Sequence, residues 1–169
     1  MIESTRLIYK GDIVAAFFYA GIGSLMFVIA ALLQYFNISP GFLYLSYGLL
    51  VFSIYALGKG TIMYYVYSKR YLFYKNIQEM NERYKNEEIN YTGSRIVRKN
   101  KGRRLHIYVM ILGSIVAFYG IFSVERGLII GSSIPIVLLS GIEFSVGLLT
   151  EFRLQEYLRI LNKQPEKIS

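Results

Sequence analysis

Four long stretches of this chain carry no charged side chain. They cover residues 13–33, 41–58, 107–124 and 127–142. An α-helix needs roughly 20 apolar residues to cross a hydrocarbon core about 30 Å thick, and buried helices of soluble proteins rarely run so far without a polar face. The pattern therefore predicts an all-α integral membrane protein with four transmembrane helices.

The connections between these stretches predict two hairpins, at residues 13–68 and 105–150. The segment NISPG after the first stretch contains the Asn, Ser, Pro and Gly that are typical of a tight turn, and the connection at 123–127 is also short. The first stretch is too long for a signal peptide, and no small-residue cleavage site follows it. We therefore expect it to be retained as a span.

An amphipathic extension is expected after each hairpin. No helix breaker follows the second span, so we expect one helix to continue through residue 88 and to end at INYTGS, residues 89–94. Four apolar residues repeat at helical spacing in it and predict a docking stripe: Phe73, Ile77, Met80 and Tyr84. The second extension has an apolar face made of Leu154, Tyr157, Leu158 and Leu161. This face could pack on the docking stripe, on a second copy of the chain or on the bilayer, and we favour a helix as its partner.

The basic residues are unevenly distributed along the chain. Of the 19 Lys and Arg, two lie in residues 1–12, eleven in 69–104 and four in 151–169. Cytoplasmic loops of membrane proteins carry the excess of Lys and Arg. We therefore expect these three segments in the cytoplasm: an N-terminus, a helix with a basic loop, and a C-terminal helix with its tail. The expected location is a cell membrane, of the bacterial inner-membrane type, crossed with both termini inside.

Six basic residues and no acidic one stand directly before the third span. They are Arg95, Arg98, Lys99, Lys101, Arg103 and Arg104. Anionic lipids of the inner leaflet attract such clusters by about 1 kcal/mol per charge, so we expect lipid contact here, although the topology by itself also explains the run. We do not expect a nucleic acid as partner, because no nucleic-acid-binding fold precedes the run.

Small residues recur at seven-residue spacing in the second and fourth spans. They are Ser46, Ser53 and Gly60, and, 87 positions later, Ser133, Ser140 and Gly147. Small residues let membrane helices approach closely, either within one chain or between copies, and on this basis we expect a homo-oligomer. The recurrence is also compatible with two hairpins that are parallel repeats of each other.

Only two charged residues lie inside the spans, Lys59 and Glu143. Both lie at a similar depth near the cytoplasmic boundary. Our hypothesis is that they pair, and so either lock the bundle or line a polar path. The alternative is a Lys59 that snorkels to the headgroups beside a protonated Glu143.

The chain carries no recognisable catalytic motif. It has no cysteine and a single histidine, His106 at the membrane edge, so we expect no enzyme, no metal site and no cofactor. The function that we expect is a homo-oligomeric channel or pore-like assembly, for example a regulated effector in bacterial stress or defence. The alternatives are a small proton-coupled transporter that uses Glu143, and an accessory subunit that docks a soluble protein on the stripe.

Overall fold

The computed structural model describes residues 2–36 and 39–163, which form four α-helices with no strand among them. The helices are α1 (Ile2–Phe36), α2 (Pro40–Asn76), α3 (Glu82–Gly120) and α4 (Arg126–Asn162). The prediction of an all-α chain is confirmed. The start of the predicted NISPG turn and the end of the predicted tail, residues 164–169, lie outside the described residues.

Three of the four helices, α1, α2 and α4, are long and apolar enough to cross a membrane. The third helix differs, because its first half is rich in charge and its uncharged part starts only at residue 107. α3 ends at Gly120, after which residues 121–123 make backbone hydrogen bonds to the third residue before them. The helical part of the third predicted span is therefore shorter than residues 105–123.

The chain reverses direction between α2 and α3 at residues 77–81, so the predicted continuous helix through residue 88 is wrong. Residues 89–94 lie inside α3 instead of ending a helix. Ile77 has an extended backbone, with φ −91° and ψ 133°. The Arg6 side chain donates hydrogen bonds of 2.9–3.1 Å to three carbonyls at this end of α2 and just beyond it. These bonds satisfy carbonyls that a helix end leaves unpaired.

The four helices form two antiparallel hairpins that meet through α2 and α4. α1 packs along α2, and α3 packs along α4. Where the hairpins meet, a Cβ on Gly127 would lie 3.2 Å from the backbone nitrogen of Gly41. The backbones of α2 and α3, in contrast, do not come within 8 Å of each other, Cα to Cα, anywhere in the described residues. A gap therefore separates α2 from α3.

The small residues of the second and fourth spans pack inside the chain. All six of them are buried: Ser46, Ser53, Gly60, Ser133, Ser140 and Gly147. The Ser53 hydroxyl donates a 2.8 Å hydrogen bond to the Gly23 carbonyl of α1, and a Cβ on Gly60 would lie 2.8 Å from the Ala16 carbonyl. The α2 face thus packs against α1. Because all six residues are buried within one chain, they no longer argue for a contact between copies.

The bundle has an apolar half and a polar half. The core of the apolar half is Tyr19, Ala30, Leu49, Phe52 and Ala56, and its outward side chains are also apolar, with Phe17 at 62% and Val51 at 69% exposure. The polar half buries charged and hydroxyl side chains: Thr5, Asp12, Glu88, Thr92, Arg95 and Glu151. Such a division suits a chain that is surrounded by lipid along one half only.

Candidate functional site

Lys59 of α2 and Glu143 of α4 are in contact within one chain. The Lys59 ammonium group lies against both carboxylate oxygens of Glu143. It also donates a 3.2 Å hydrogen bond to the Tyr19 hydroxyl and lies 4.5 Å from the centre of that ring. Glu143 is only 5% exposed. A carboxylate removed this far from water depends on the opposite charge beside it.

His106 of α3 lies beside the same pair. Its Nε2 is 4.0 Å from Glu143 Oε2, so the single histidine of the chain belongs to the site and is not simply a residue of the membrane edge. Side chains from all four helices therefore meet here: Tyr19, Lys59, His106 and Glu143.

The pair forms one end of a cavity of 420 Å³ between α2 and α3, a volume in the usual range for ligand pockets. The α2 wall is Tyr55, Lys59, Ile62, Met63, Val66 and Tyr67. The α3 wall is Tyr91, Arg95, Arg98, Lys99, Arg103 and His106, with Gly102 between them. Glu143 and Gly147 of α4 form the floor. The gap between the backbones of α2 and α3 is thus a lined chamber.

The cavity carries far more positive than negative charge. Among the described residues, five Lys or Arg line it, and the one acid in the lining, Glu143, is paired with Lys59. Two of the cations have acidic partners from outside the cavity. Arg95 Nη2 donates a 2.7 Å hydrogen bond to Asp12 Oδ2, and Arg103 Nη1 lies 2.9 Å from Glu151 Oε2.

Arg98 and Lys99 are the two lining cations without an acidic partner. In the described residues, no carboxylate lies within 4.0 Å of either of them. Burial lowers the pKa of Lys99, and the positive charge of Lys59 lowers it further. The shift has the direction expected of an ammonium group in a positively charged chamber.

Arg95 lies at the end of the cavity opposite the Lys59–Glu143 pair. It is 4% exposed, and its guanidinium carbon lies 4.7 Å from the ring centre of Tyr67 and 5.7 Å from that of Tyr91. Its Nη2 bonds Asp12, whereas its Nη1 has no hydrogen-bond acceptor among the described residues. A buried donor without an acceptor is uncommon in a folded protein.

A second buried cluster lies beyond Arg95, around Glu88 of α3. The hydroxyls of Tyr9 and Tyr74 donate hydrogen bonds to the Glu88 carboxylate, the latter at 2.9 Å, and Arg70 lies 3.4 Å from it. Burial raises the pKa of Tyr9, Tyr74 and Tyr157, and the negative charge of Glu88 raises it further. These hydroxyls therefore keep their protons, and Tyr9 and Tyr74 use them to connect α1 and α2 to α3.

The predicted basic run divides into two sets. Arg95, Arg98, Lys99 and Arg103 line the cavity, whereas Lys101 and Arg104 are exposed and lie outside it. The structure thus gives the run two environments that the sequence did not distinguish.

The predicted docking stripe does not form one helix face. Phe73 lies near the end of α2, Ile77 and Met80 lie in the connection, and Tyr84 lies in α3. The rings of Phe73 and Tyr84 still meet, with their centres 5.5 Å apart. The stripe is therefore the corner where the two helices join.

The second predicted extension is the end of α4, and it packs mainly against other helices of the same chain. Leu154, Tyr157 and Leu161 are buried, whereas Leu158 is half-buried. The Tyr157 hydroxyl donates a 2.8 Å hydrogen bond to Thr5 Oγ1 of α1. Its partner is therefore the N-terminal part of α1 and not the stripe.

Sequence reasoning missed the buried polar residues of α1. Thr5, Tyr9, Asp12, Ala16, Tyr19 and Gly23 are all buried, at alternating spacings of three and four residues that place them on one face of the helix. This spacing was available in the sequence, but it mixes polar and apolar residues and so gives no amphipathic signal.

Comparison with known protein families, with curated proteins and with solved structures finds no match. Within residues 2–36 and 39–163, no group of three or more His, Cys, Asp or Glu is arranged to hold a metal ion. The chemistry available at the site is thus that of a buried ion pair, a histidine, tyrosine hydroxyls and a surplus of cationic donors.

Proposed function

We propose that this protein is a non-enzymatic integral membrane protein that crosses the bilayer four times with both termini in the cytoplasm. The distribution of Lys and Arg supports this topology. The apolar part of α3 from Leu105 to Gly120 spans about 24 Å at 1.5 Å per residue, and the exposed Ile121, Phe122 and Val124 extend its apolar surface. A cell membrane of the bacterial inner-membrane type suits this arrangement.

Within that membrane the protein acts as a carrier of anions coupled to protons. The observation that carries this proposal is the Lys59–Glu143 pair at the floor of a cationic cavity. On the proposed topology the cavity faces the cytoplasmic boundary. Beyond the pair α2 and α4 are closely packed, since a Cβ on Gly131 would lie 2.5 Å from the Gly41 carbonyl. A site reached from one side and closed on the other is what alternating access requires.

The Lys59–Glu143 pair couples the binding of an anion to the binding of a proton. When an anion binds to Lys59, Glu143 loses its partner, and a carboxylate in a low-dielectric site without a partner favours its protonated form. The binding of one monovalent anion together with one proton leaves the net charge of the site unchanged. The loaded site is thus no more costly to move through the membrane than the empty one.

An oligomeric pore was the first expectation from the sequence, and we prefer the carrier. The pore rested on small-residue faces that could meet other copies, and the six residues of these faces are buried within the chain. A pore would also have its charged residues along an open axis, whereas Glu143 is buried and paired.

Vesicle transport tests this proposal. Purified protein in liposomes should accumulate radiolabelled inorganic phosphate, which has a monovalent form near neutral pH, under an imposed proton gradient, and a protonophore should abolish the accumulation. Glu143→Gln should reduce uptake to background. Glu156→Gln is the matched control, because it removes an exposed carboxylate from the same helix. Electrical conductance without a proton requirement would support the pore instead, and the absence of gradient-driven uptake would overturn the carrier.

A further inference from the structure

We infer that the cavity between α2 and α3 binds a phosphate-bearing anion through Arg95, Arg98 and Lys99. The inference rests on the proposed function in taking this cavity as the working site, and it names the class of ligand. The ligand class is shared by two sources, the headgroup of an anionic phospholipid and a soluble phosphate or organophosphate.

The positive charge of the cavity is only partly balanced by acidic side chains. Arg98 and Lys99 line the cavity with no carboxylate within 4.0 Å in the described part of the chain. Their neighbours Lys59 and Arg95 are paired with Glu143 and Asp12. The positive charges of Lys59 and Arg95 act against the charge of Lys99, and an anion bound in the cavity would offset this repulsion.

Arg95 has a donor that is not used within the described part of the chain. Its Nη1 has no acceptor there, and the side chain, which is 4% exposed, lines the cavity. The bond between Nη2 and Asp12 and the rings of Tyr67 and Tyr91 hold the guanidinium group in place. A planar guanidinium group that is already oriented suits the oxygens of a phosphate.

The cavity also has room for a ligand. Nothing lies within 4 Å of the place where a Cβ on Gly102 or Gly147 would stand, so both glycines leave room on the α3 wall and on the floor. Tyr55 and Ile62 supply apolar surface on the opposite wall. The cavity can thus hold a phosphate group together with part of the molecule that carries it.

The geometry suits either source of the phosphate. A phospholipid headgroup could enter sideways, because the backbones of α2 and α3 stay apart. A soluble anion could enter from the side of Arg98, which is exposed. In both cases the phosphate oxygens would compete with Glu143 for Lys59.

A pair of double variants tests the inference. Arg98→Gln with Lys99→Gln removes the two unpaired cations of the cavity. Lys101→Gln with Arg104→Gln removes the same charge from exposed positions outside it. The full-length protein in phosphatidylcholine nanodiscs is titrated calorimetrically with pyrophosphate. We expect the cavity double variant to bind at least about tenfold more weakly than the unmodified protein, because it loses two charge-assisted contacts. The outer double variant should stay within about twofold.

A separate experiment tests whether the bound phosphate belongs to a phospholipid headgroup. Protein extracted from membranes that contain phosphatidylglycerol is analysed by native mass spectrometry. A retained phospholipid that is absent from the cavity double variant and present on the outer one assigns the site to a headgroup. Pyrophosphate binding with the same dependence, and no retained lipid, assigns it to a soluble anion. The inference is overturned if neither arm distinguishes the two double variants.

A variant that fills the cavity without removing a charge separates an effect on ligand binding from a loss of folding. Gly147→Leu places a side chain in the cavity where nothing obstructs it, and Gly58→Leu places the same side chain at an exposed, equally open position of α2. Gly147→Leu should weaken pyrophosphate binding or lipid retention at least about tenfold, whereas Gly58→Leu should leave both unchanged. Equal behaviour of the two would count against the cavity as the site.

The experiments distinguish a failure of the anion-binding inference from a failure of the proposed carrier function. Anion binding that depends on Arg98 and Lys99, without proton-driven uptake, would contradict the carrier and leave this inference standing. Proton-driven uptake of phosphate that is unaffected by the cavity double variant would contradict this inference and leave the carrier standing.

Discussion

Asp12 of α1 and Arg95 of α3 form a buried ion pair, with 2.7 Å between Oδ2 and Nη2, although the backbones of their helices do not touch. Both side chains are at most 5% exposed. Desolvation makes such a pair a poor source of net stability, but the loss of one partner leaves an uncompensated buried charge. The pair therefore constrains how α3 sits relative to α1.

Removal of Asp12 should destabilise the folded protein strongly. Asp12→Ala leaves the Arg95 charge without its partner, and we expect a loss of about 3–5 kcal/mol, measured by thermal unfolding in detergent. Glu156→Ala is the control, since Glu156 pairs with Arg159 on the exposed surface and such pairs contribute about 0–1 kcal/mol. Equal losses in the two variants would show that the buried pair has no special role.

Reversal of the Lys59–Glu143 pair should be tolerated better than either single change. Lys59→Glu and Glu143→Lys each place two like charges together in the site, so each should lower the yield of monodisperse protein and its thermal stability. The double variant restores opposite charges and should recover much of that loss. A double variant as unstable as the worse single one would mean that the contact contributes nothing.

Tyr9→Phe should weaken the Glu88 cluster. The change deletes one donor from a buried carboxylate, and a lost partner of this kind costs about 1–3 kcal/mol. Thermal unfolding measures the effect. Tyr35→Phe, at a residue that is 83% exposed, should change the unfolding temperature by less than 1 °C.

Stability should fall as the pH rises above about 10, the ordinary pKa of tyrosine. The pKa values of Tyr9 and Tyr157 are raised in the folded protein, first by burial and then by the charge of Glu88. Above pH 10 the unfolded chain releases these protons and the folded protein keeps them. Each tyrosine therefore lowers the free energy of unfolding by up to about 1.4 kcal/mol per pH unit. Unfolding measured between pH 9 and 11 should show a shallower decline in Tyr9→Phe with Tyr157→Phe. If the stability of this double variant falls with pH as steeply as that of the unmodified protein, Tyr9 and Tyr157 are not the source of the effect.

Gly60→Val should disrupt the packing of α1 on α2. A Cβ at this position would lie 2.8 Å from the Ala16 carbonyl and 3.0 Å from the Ala20 nitrogen, and overpacking of this kind costs about 1–3 kcal/mol. Gly58→Val makes the same change two residues away, where nothing lies within 4 Å, and should be nearly neutral. Similar unfolding temperatures for both variants would contradict the observed seam.

Hydropathy was sufficient to predict the helical class and the long apolar helices, because the absence of charge over about 20 residues is a strong local signal. It could not place the turn at 77–81. The segment IQEMN holds neither Gly nor Pro, and the chain reverses there with α2 held by Arg6, a residue far away in the sequence. The position of this turn depends on tertiary contacts, which the local sequence does not reveal.

The site was predictable only in part for the same reason. Lys59 and Glu143 stood out because each is a charge in an apolar run. Asp12, Glu88 and Arg95 lie in segments where charge is ordinary, so their burial left no trace in composition. Asp12 and Arg95 are 83 positions apart, and no spacing rule connects residues at that distance.

The hydrogen bond between Thr5 and Tyr157 has a consequence for the order of assembly. Its two partners are 152 positions apart, so the ribosome must add 152 residues after Thr5 before α1 can make this contact with α4. Until then the polar face of α1, with Tyr9 and Asp12, lacks Glu88 and Arg95 as well. α1 is thus made before the helices that complete its polar face, and the hairpin of α1 and α2 is an unfinished intermediate until α3 and α4 have been made.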